Sequence, residues 1–406
     1  MTVNRRSADY TIKGFLYQFN KTILEILNSS DSTIVTVEGI IEDIDVSTPT
    51  GIKAIQCKYH EAVEKFTPSA IFKPLLQMMD SFTQNPNADV KYILFAHFPD
   101  LSETNAPSKC GVNELNAALM SKDAKLAPLI KKLKGKVNVT KFRKVFTLHA
   151  GQTYDKLVSD VHAAIISAGI PKDDIDTLAY PNALELIANI SCKHNPKERK
   201  VSKKQLVDRL IAVKKTAISR WTLALDSREK LLKERRKQMK QNLNINTRLR
   251  YFLVNCESFD DFDTEFVLLI SDYLGKYHFK QAHTQTPLFC LRAADKVFWE
   301  IQKRLHQKKI ITNDGDIKID FDENRFFREP LKIKKSAGVI QREFDLRILQ
   351  WGTNVSILDR HKSDDLFILG HSDSIELNTK DVNVEVLDTY SIKEIKYMLG
   401  VCDGYD

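Results

Sequence analysis

Two neighbouring segments, residues 38–46 and 52–59, have the alternating pattern and the flanking turn residues of a β-hairpin. Each carries polar residues two positions apart: Asp43, Asp45, Gln56 and Lys58. Residues two apart on a strand point to the same side, so the two acids share one face of the first strand, and the amide and the ammonium share one face of the second. A polar group withdrawn from water needs a partner, so packing alone does not explain this concentration of polar groups. The pattern predicts a divalent-metal phosphodiesterase site.

The residue types suit that chemistry. Metal-dependent cleavage of a phosphodiester needs carboxylates to hold Mg²⁺ or Mn²⁺, a water whose pKa the metal lowers, and a cation near the scissile phosphate. Asp43 and Lys58 suit the first and last of these tasks. Gln56 can coordinate a metal through its carbonyl oxygen but brings no charge, so Asp45 or Glu38 would supply the missing negative charge. The alternative is an exposed hairpin with ordinary surface acids and a lysine.

Composition limits the protein class. A chain of 406 residues, 43% of them hydrophobic, exceeds the usual size of one domain, so two or three domains are expected. Its six cysteines lack the spacing of a zinc ribbon or of a disulfide framework, which favours a reducing compartment. The first residues contain no apolar signal segment, and no stretch approaches the ~18 apolar residues that span a bilayer. We expect a soluble, cytoplasmic protein with no membrane segment.

The periodic patterns in the first 170 residues predict a mixed α/β domain. They give a helix, three strands, a helix and a strand, at residues 14–28, 33–38, 40–46, 52–59, 69–82 and 90–97. A further strand at 144–149 and a helix at 154–168 would extend and cover the sheet. The Gly, Pro and charged residues of 169–176 then mark a domain boundary.

Positive charge is concentrated in one segment. The chain carries a net charge of +8, and residues 193–240 hold 17 Lys and Arg against five Asp and Glu. Ser202 and Gln205 form a capping box, from which we predict one long basic helix reaching about Lys240. It could serve as a strut, an oligomerisation seam or a DNA-facing ridge, or simply present a solvated face. The candidate DNA-binding residues are Lys203, Lys204, Lys214, Lys215, Lys233, Arg235, Arg236 and Lys237.

The C-terminal region has weaker patterns. We predict a largely helical α+β region with a strand at 250–254, helices at 261–274 and 291–306, an Asp-Gly hairpin in 310–321, and a strand followed by a helix in 382–401. A helix followed by a hairpin suggests a winged-helix element. The predicted organisation is a domain at 1–170, a linker with the long helix at 171–243, and a regulatory or partner-binding domain at 244–406.

The αβββαβ order, with an acid on the second strand and Gln-x-Lys on the third, resembles the PD-(D/E)xK restriction-endonuclease superfamily. The glutamine variant is similar to its Mrr-like branch. More closely, residues 14–18, 37–45 and 55–60 resemble the nuclease domain of bacterial anti-phage effectors: SAVED-domain CBASS nucleases, the nuclease subunit of Lamassu systems, and nucleases paired with HerA-type helicases. The resemblance covers about residues 8–170. In the C-terminal half we find no segment similar to the SAVED-type sensor.

The resemblance implies a restriction-endonuclease-like core and a specific set of site residues. These are a catalytic triad, two supporting acids and one helix-borne neighbour: Asp43, Gln56 and Lys58; Glu38 and Asp45; and Gln18. It implies a Mg²⁺- or Mn²⁺-dependent double-stranded DNA endonuclease, acting as a homo-oligomeric defence effector controlled by an SMC-like or HerA-type ATPase partner. Two alternatives stay open: a ligand-activated CBASS-type nuclease, and an inactive DNA-binding scaffold module.

Overall fold

The computed structural model describes residues 5–61, 63, 65–316, 320–334, 340–352, 356–371 and 377–405. The chain divides into two compact units, Met1–Lys214 and Lys215–Asp406. This division differs from the predicted boundaries after residues 170 and 243. In the described part of the chain, no helix combines the length and the apolar character needed to cross a membrane.

The first unit is built on one six-stranded mixed sheet. Its helices are α1 (Arg5–Asn28), α2 (Phe72–Gln84), α3 (Val112–Leu119), α4 (Ala127–Leu133), α5 (Val139–Val145), α6 (Tyr154–Ser167), α7 (Tyr180–Ser191) and α8 (Lys203–Ala212). Its strands are β1 (Ile34–Val37), β2 (Ile44–Thr48), β3 (Gly51–Tyr59), β4 (Val90–His97), β5 (Phe146–Ala150) and β6 (Lys200–Val201). The spatial order is β5-β4-β3-β2-β1-β6. Strands β3, β4 and β5 run parallel, and the other neighbours are antiparallel. The predicted mixed α/β class is confirmed.

Helices cover both faces of this sheet. The apolar stripe predicted for the first helix, namely Leu16, Phe19, Ile23 and Leu27, is buried. Ala54 of β3 belongs to a separate core cluster that includes residues of α2. Because strand residues alternate between faces, Gln56 and Lys58 share the face of Ala54. The two candidate site residues of β3 therefore lie on the α2 side of the sheet.

The second unit contains a six-stranded parallel sheet. Its helices are α9 (Arg228–Leu243), α10 (Phe262–Tyr277), α11 (Asp295–Gln307), α12 (Glu323–Phe327), α13 (Ile357–Arg360) and α14 (Ile392–Met398). Its strands are β7 (Arg250–Asn255), β8 (Leu288–Arg292), β9 (Thr312–Asn313), β10 (Lys332–Lys334), β11 (Ile340–Arg342), β12 (Leu346–Gln350), β13 (Asp365–Leu369) and β14 (Asn383–Leu387). The order is β14-β13-β7-β8-β12-β9, and β10 pairs with β11 in a separate hairpin. All neighbours in the large sheet are parallel.

An aromatic row crosses the centre of the parallel sheet. Phe252 lies in register with Phe289 on one side and Phe367 on the other, and the ring centroids are 4.6 and 4.7 Å apart. All three rings are buried, and Tyr273 of α10 packs edge-on against Phe252. This row holds the central strands of the second unit together.

Two predictions for the C-terminal half are wrong. The region is a parallel α/β layer instead of a largely helical one. The helix predicted at 291–306 is present, but it begins at Asp295, because β8 occupies the chain up to Arg292. The winged-helix interpretation fails because β9, which follows α11, pairs with β12 in the parallel sheet. Part of the predicted hairpin, residues 317–319, lies outside the described residues.

The predicted long basic helix is also wrong, because α8 ends at Ala212 and α9 begins at Arg228. Between them, the Thr222 hydroxyl accepts a hydrogen bond from the Ser219 amide and donates one to the Ala217 carbonyl. Short hydroxyl side chains that bond the local backbone compete with helical hydrogen bonds. The boundary between the two compact units falls in this interruption.

Candidate metal centre

The candidate site lies where β1 turns into β2. Strand β2 begins at Ile44, four residues later than predicted, and residues 38–43 form a bend. Glu38 has a φ of 47°, in the left-handed region that non-glycine residues rarely adopt. Such strained residues cluster at functional sites, where the surrounding structure holds them in place. The bend, rather than a regular strand, therefore presents the acids of this segment.

Asp43 and Gln56 lie opposite each other at the start of the β2–β3 pairing. Ile44 pairs with Ile55, so the next residues outward face each other, and Gln56 Nε2 donates to Asp43 Oδ1 at 3.3 Å. The backbone amide of Cys57 donates to Asp43 Oδ2 at 2.9 Å. Gln56 Oε1 is buried and has no hydrogen-bond partner among the described residues. One carbonyl oxygen is thus left without a protein partner beside a fixed carboxylate.

Lys58 brings a positive charge to the same face. Its side chain is half-buried and makes no hydrogen bond or ion pair with any residue that the structure describes. Burial and the charge of Asp43 raise the pKa of Glu38 and of Glu42, and the charge of Lys58 opposes that rise. Lys58 is therefore available to an anionic ligand.

Gln18 and Glu38 contact each other through their side chains. Gln18, in α1, donates from Nε2 to Glu38 Oε1 at 2.7 Å, and Arg199 donates to the Glu38 carbonyl at 2.9 Å. Burial and the nearby Asp43 raise the pKa of the Glu38 carboxyl group. These contacts stabilise Glu38, the strained first residue of the bend.

Asp45 stabilises the bend through its carboxylate. Its Oδ2 accepts from the Ile41 amide at 3.0 Å and its Oδ1 accepts from the Glu42 amide at 3.2 Å. Burial raises the pKa of Asp45, and these backbone bonds oppose the rise. A Cβ atom on Gly39 would collide with this carboxylate, so the close approach of the bend requires glycine here. The structure thus uses both carboxylate oxygens of Asp45 to shape the loop.

Glu42, to which the sequence analysis gives no role, lies in the same bend as Glu38 and Asp43. It is only 8% exposed, and its carboxylate makes no hydrogen bond or ion pair with a described residue. Burial, together with the charges of Asp43 and Asp45, raises its pKa to about 8. In a regular strand over residues 40–46, the side chains of Glu42 and Asp43 would point to opposite faces. In the bend, this alternation does not apply. The glycine at position 39 is the sequence feature that indicates a loop here instead of a strand.

The donor set fits a Mg²⁺ or Mn²⁺ ion held mainly by waters and substrate. Among the described residues, no three His, Cys, Asp or Glu side chains form a group that could hold a metal. Mg²⁺ usually keeps several waters and binds one or two carboxylates plus substrate phosphates. Asp43 supplies a carboxylate, and the orphaned Oε1 of Gln56 supplies a neutral oxygen beside it.

The predicted DNA-binding residues are divided between the two compact units. Lys203, Lys204 and Lys214 belong to the first unit, and the other five belong to the second. Arg235 is buried and paired with Glu385, which also accepts from Lys215 at 2.8 Å. Their charges are used inside the second unit.

Arg236 is likewise engaged within its own unit. It donates to the Cys402 carbonyl at 2.8 Å, contacts Asp403 at 3.0 Å and lies over the Tyr397 ring. By contrast, Lys204, Lys214, Lys233 and Lys237 are exposed and Lys203 is half-buried. Arg235, Arg236 and Lys215 thus have partners that are far away in the sequence, and the prediction is corrected for Arg235, whose buried side chain cannot contact DNA.

The sequence matches no protein-family model and no curated protein. Among solved structures, the chain is similar to a Cap4 SAVED/CARF-domain containing receptor of Acinetobacter baumannii with the cyclic trinucleotide 2′3′3′-cAAA. The identity is 13% over 81% of this chain and 69% of that chain, with a TM-score of 0.29. The Moraxella osloensis Cap4 receptor is similar at 10% identity, over 98% of this chain and 94% of that one, with the same TM-score. These similarities are too weak to establish a common fold or family.

Proposed function

We propose that the protein is a Mg²⁺- or Mn²⁺-dependent nuclease that hydrolyses phosphodiester bonds of double-stranded DNA. The observation that carries this proposal is the arrangement around Asp43. Its carboxylate is fixed by the Cys57 amide, it faces a buried glutamine with an orphaned oxygen, and the unpaired Lys58 lies on the same face. Buried polar groups in folded proteins nearly always have partners, so the orphaned Oε1 of Gln56 beside Asp43 supports a bound ligand there.

Each residue has a defined role in this proposal. Asp43 and Gln56 hold the divalent ion, which when bound lowers the pKa of a water and offsets charge on the phosphate. Lys58 donates to a non-bridging oxygen of the scissile phosphate, where negative charge grows in the transition state. Gln18 holds Glu38, and that contact fixes the bend from which Asp43 projects.

The wider role rests on the resemblance of residues 14–18, 37–45 and 55–60 to anti-phage nucleases. It supports an effector of a phage- or plasmid-defence complex that works as a homo-oligomer with an SMC-like or HerA-type ATPase partner. The exposed Lys204, Lys214, Lys233 and Lys237 remain as candidate phosphate contacts.

The test is cleavage of plasmid and linear duplex DNA by the purified chain with Mn²⁺ or Mg²⁺. We expect cleavage that EDTA stops and that Lys58→Ala and Asp43→Asn each abolish while circular dichroism stays unchanged. Lys53→Ala is the matched control. Lys53 lies on the same strand but the opposite face, and its partner Glu25 keeps a second lysine, Lys21. Undiminished cleavage in EDTA would refute the metal mechanism.

A second candidate function is activation of the nuclease by a small anionic ligand, and one feature of the second unit favours it. Strands β7 and β13 are parallel neighbours, and the chain proceeds from them to opposite sides, to β8 and to β14. Ligands of open parallel sheets bind outside the carboxyl ends of such strands. At these ends, Arg220 donates to the His371 ring at 2.9 Å, and His371 lies 3.6 Å from Asp388.

An arginine beside a histidine is suited to bind phosphate groups. The cyclic trinucleotides present in the compared Cap4 receptors, 2′3′3′-cAAA and 3′3′3′-cAAA, are suitable probes. If this candidate is right, calorimetry on the full chain detects binding, Arg220→Gln weakens it, and bound ligand increases DNA cleavage. Cleavage that neither probe changes would favour control by a protein partner.

A further inference from the structure

We propose that Glu42 is the second carboxylate ligand of the divalent cation held by Asp43 and Gln56. This inference rests on the proposed metal site and adds to it a residue that neither the strand pattern nor the family resemblance assigns.

Glu42 is a largely buried acid without a protein partner. Its side chain is 8% exposed, and its carboxylate has no hydrogen bond or ion pair with any described residue. Its two carboxylate oxygens are not among the fully buried, unpartnered atoms of the described residues, so they still reach solvent. Withdrawing most of an ionised side chain from water is costly unless a cation or donors compensate. A cation bound from solvent would supply that compensation.

Gln56 supplies an orphaned oxygen beside Asp43, the chain neighbour of Glu42. Gln56 is also 8% exposed, and its Oε1 is buried without a hydrogen-bond partner, while its Nε2 binds Asp43. Asp43 is the direct chain neighbour of Glu42, and Gln56 faces Asp43 across the strand pair. One divalent cation would satisfy the Glu42 carboxylate and the Gln56 carbonyl together. Carboxylate and amide oxygens are the ligands that hard divalent cations prefer.

Asp45 is the other buried acid of the segment. Its two oxygens accept from the Ile41 and Glu42 backbone amides, and Gly39 packs directly against them. Both oxygens of Asp43 also accept, but one of its donors is the Gln56 side-chain amide at 3.3 Å, which can rotate when an ion binds, whereas turning Asp45 toward a cation would release two backbone amides. Asp45 is thus a positioning residue, and Glu42 is the acid left for the ion.

The experiment measures Mn²⁺ affinity of the DNA-free protein by electron paramagnetic resonance, so it does not depend on cleavage. The variants are Glu42→Gln, Asp43→Asn and Asp45→Asn. Glu185→Gln is the matched control. It removes the same charge from a half-buried acid of α7, far from the bend in the sequence, and its Oε2 likewise lacks a hydrogen-bond partner.

If the proposal is right, Glu42→Gln weakens Mn²⁺ binding by at least about tenfold, a loss typical of a disturbed metal site. Glu185→Gln leaves the affinity within about twofold, and Asp45→Asn, which keeps an acceptor oxygen for one of the two amides, costs less than Glu42→Gln.

Three outcomes would overturn it. If Asp43→Asn loses Mn²⁺ while Glu42→Gln binds it normally, this inference fails and the proposed nuclease stands. If Asp45→Asn costs more than Glu42→Gln, then Asp45 is the ligand. If the unmodified protein binds no Mn²⁺, both the inference and the proposed function fail.

Discussion

The substitution Gly39→Ala tests how tightly the bend is built around the candidate site. A Cβ atom at this position would lie 2.7 Å from the Glu42 carbonyl oxygen and still closer to the Asp45 carboxylate, whereas ordinary contact begins at 3.4 Å. The bend must therefore move by at least about 0.7 Å. A shift of that size breaks or stretches the two hydrogen bonds from the Ile41 and Glu42 amides to Asp45.

The expected loss of stability follows from those two hydrogen bonds. Hydrogen bonds to charged groups contribute roughly 1.5–3 kcal/mol each, so we expect the free energy of unfolding to fall by about 3 kcal/mol after partial relaxation. Circular dichroism monitors urea unfolding at pH 7.5 in EDTA. A separate titration measures the Mn²⁺ affinity of the same variant. Mn²⁺ affinity should fall as well, because Glu42 and Asp43 move with the bend.

Gly14→Ala is the matched control for Gly39→Ala. Gly14 lies in α1, and a Cβ atom there meets nothing within 4 Å. At an open helical position, alanine raises the free energy of unfolding by roughly 0.5–1 kcal/mol relative to glycine. If Gly39→Ala left the unfolding free energy within about 0.5 kcal/mol of the unmodified protein, the tight packing of the bend would be refuted.

Three further predictions concern single side chains. Gln56→Glu restores an acid of the same shape, so DNA cleavage should persist in part with a changed preference between Mg²⁺ and Mn²⁺; complete loss of metal binding would mean that Gln56 acts through its amide donors. Burial lowers the pKa of His278 from 6.5 to about 3. Unfolding therefore takes up a proton below pH 6.5, stability falls as the pH drops, and His278→Gln should remove about 2 kcal/mol of the loss between pH 8 and pH 5 in thermal melts. Arg235→Gln leaves the buried Glu385 with a weaker set of partners and should cost about 3 kcal/mol in urea unfolding, whereas the exposed Lys233→Gln on the same helix should change stability by less than about 0.5 kcal/mol.

Strand alternation was a reliable guide where the chain is a regular strand. It placed Gln56 and Lys58 on one face of β3, and the observed register sets Asp43 opposite Gln56. It was misleading for residues 38–43, because the rule assumes an extended backbone and these residues bend. The roles of Asp45 as a loop support and of Glu42 as a buried unpaired acid follow from that bend, and a pattern of residue types does not contain it.

Counting charged residues along the sequence does not show which of them are paired in the fold. The surplus of lysine and arginine in residues 193–240 was real, but Arg235 is neutralised by Glu385, 150 residues further along the chain. A count along the sequence cannot include a partner that only the fold brings near. The strand β8 was missed for a similar reason, since a short apolar run does not separate a buried strand from the start of a helix.

The most direct test of the central claim is the position of Mn²⁺ in crystals of the protein grown with that ion, located by anomalous diffraction. The account predicts a peak within about 2.5 Å of both the Asp43 carboxylate and Gln56 Oε1. Mn²⁺ bound only elsewhere, or no bound ion at millimolar Mn²⁺, would contradict a metal-dependent nuclease site at Asp43, Gln56 and Lys58.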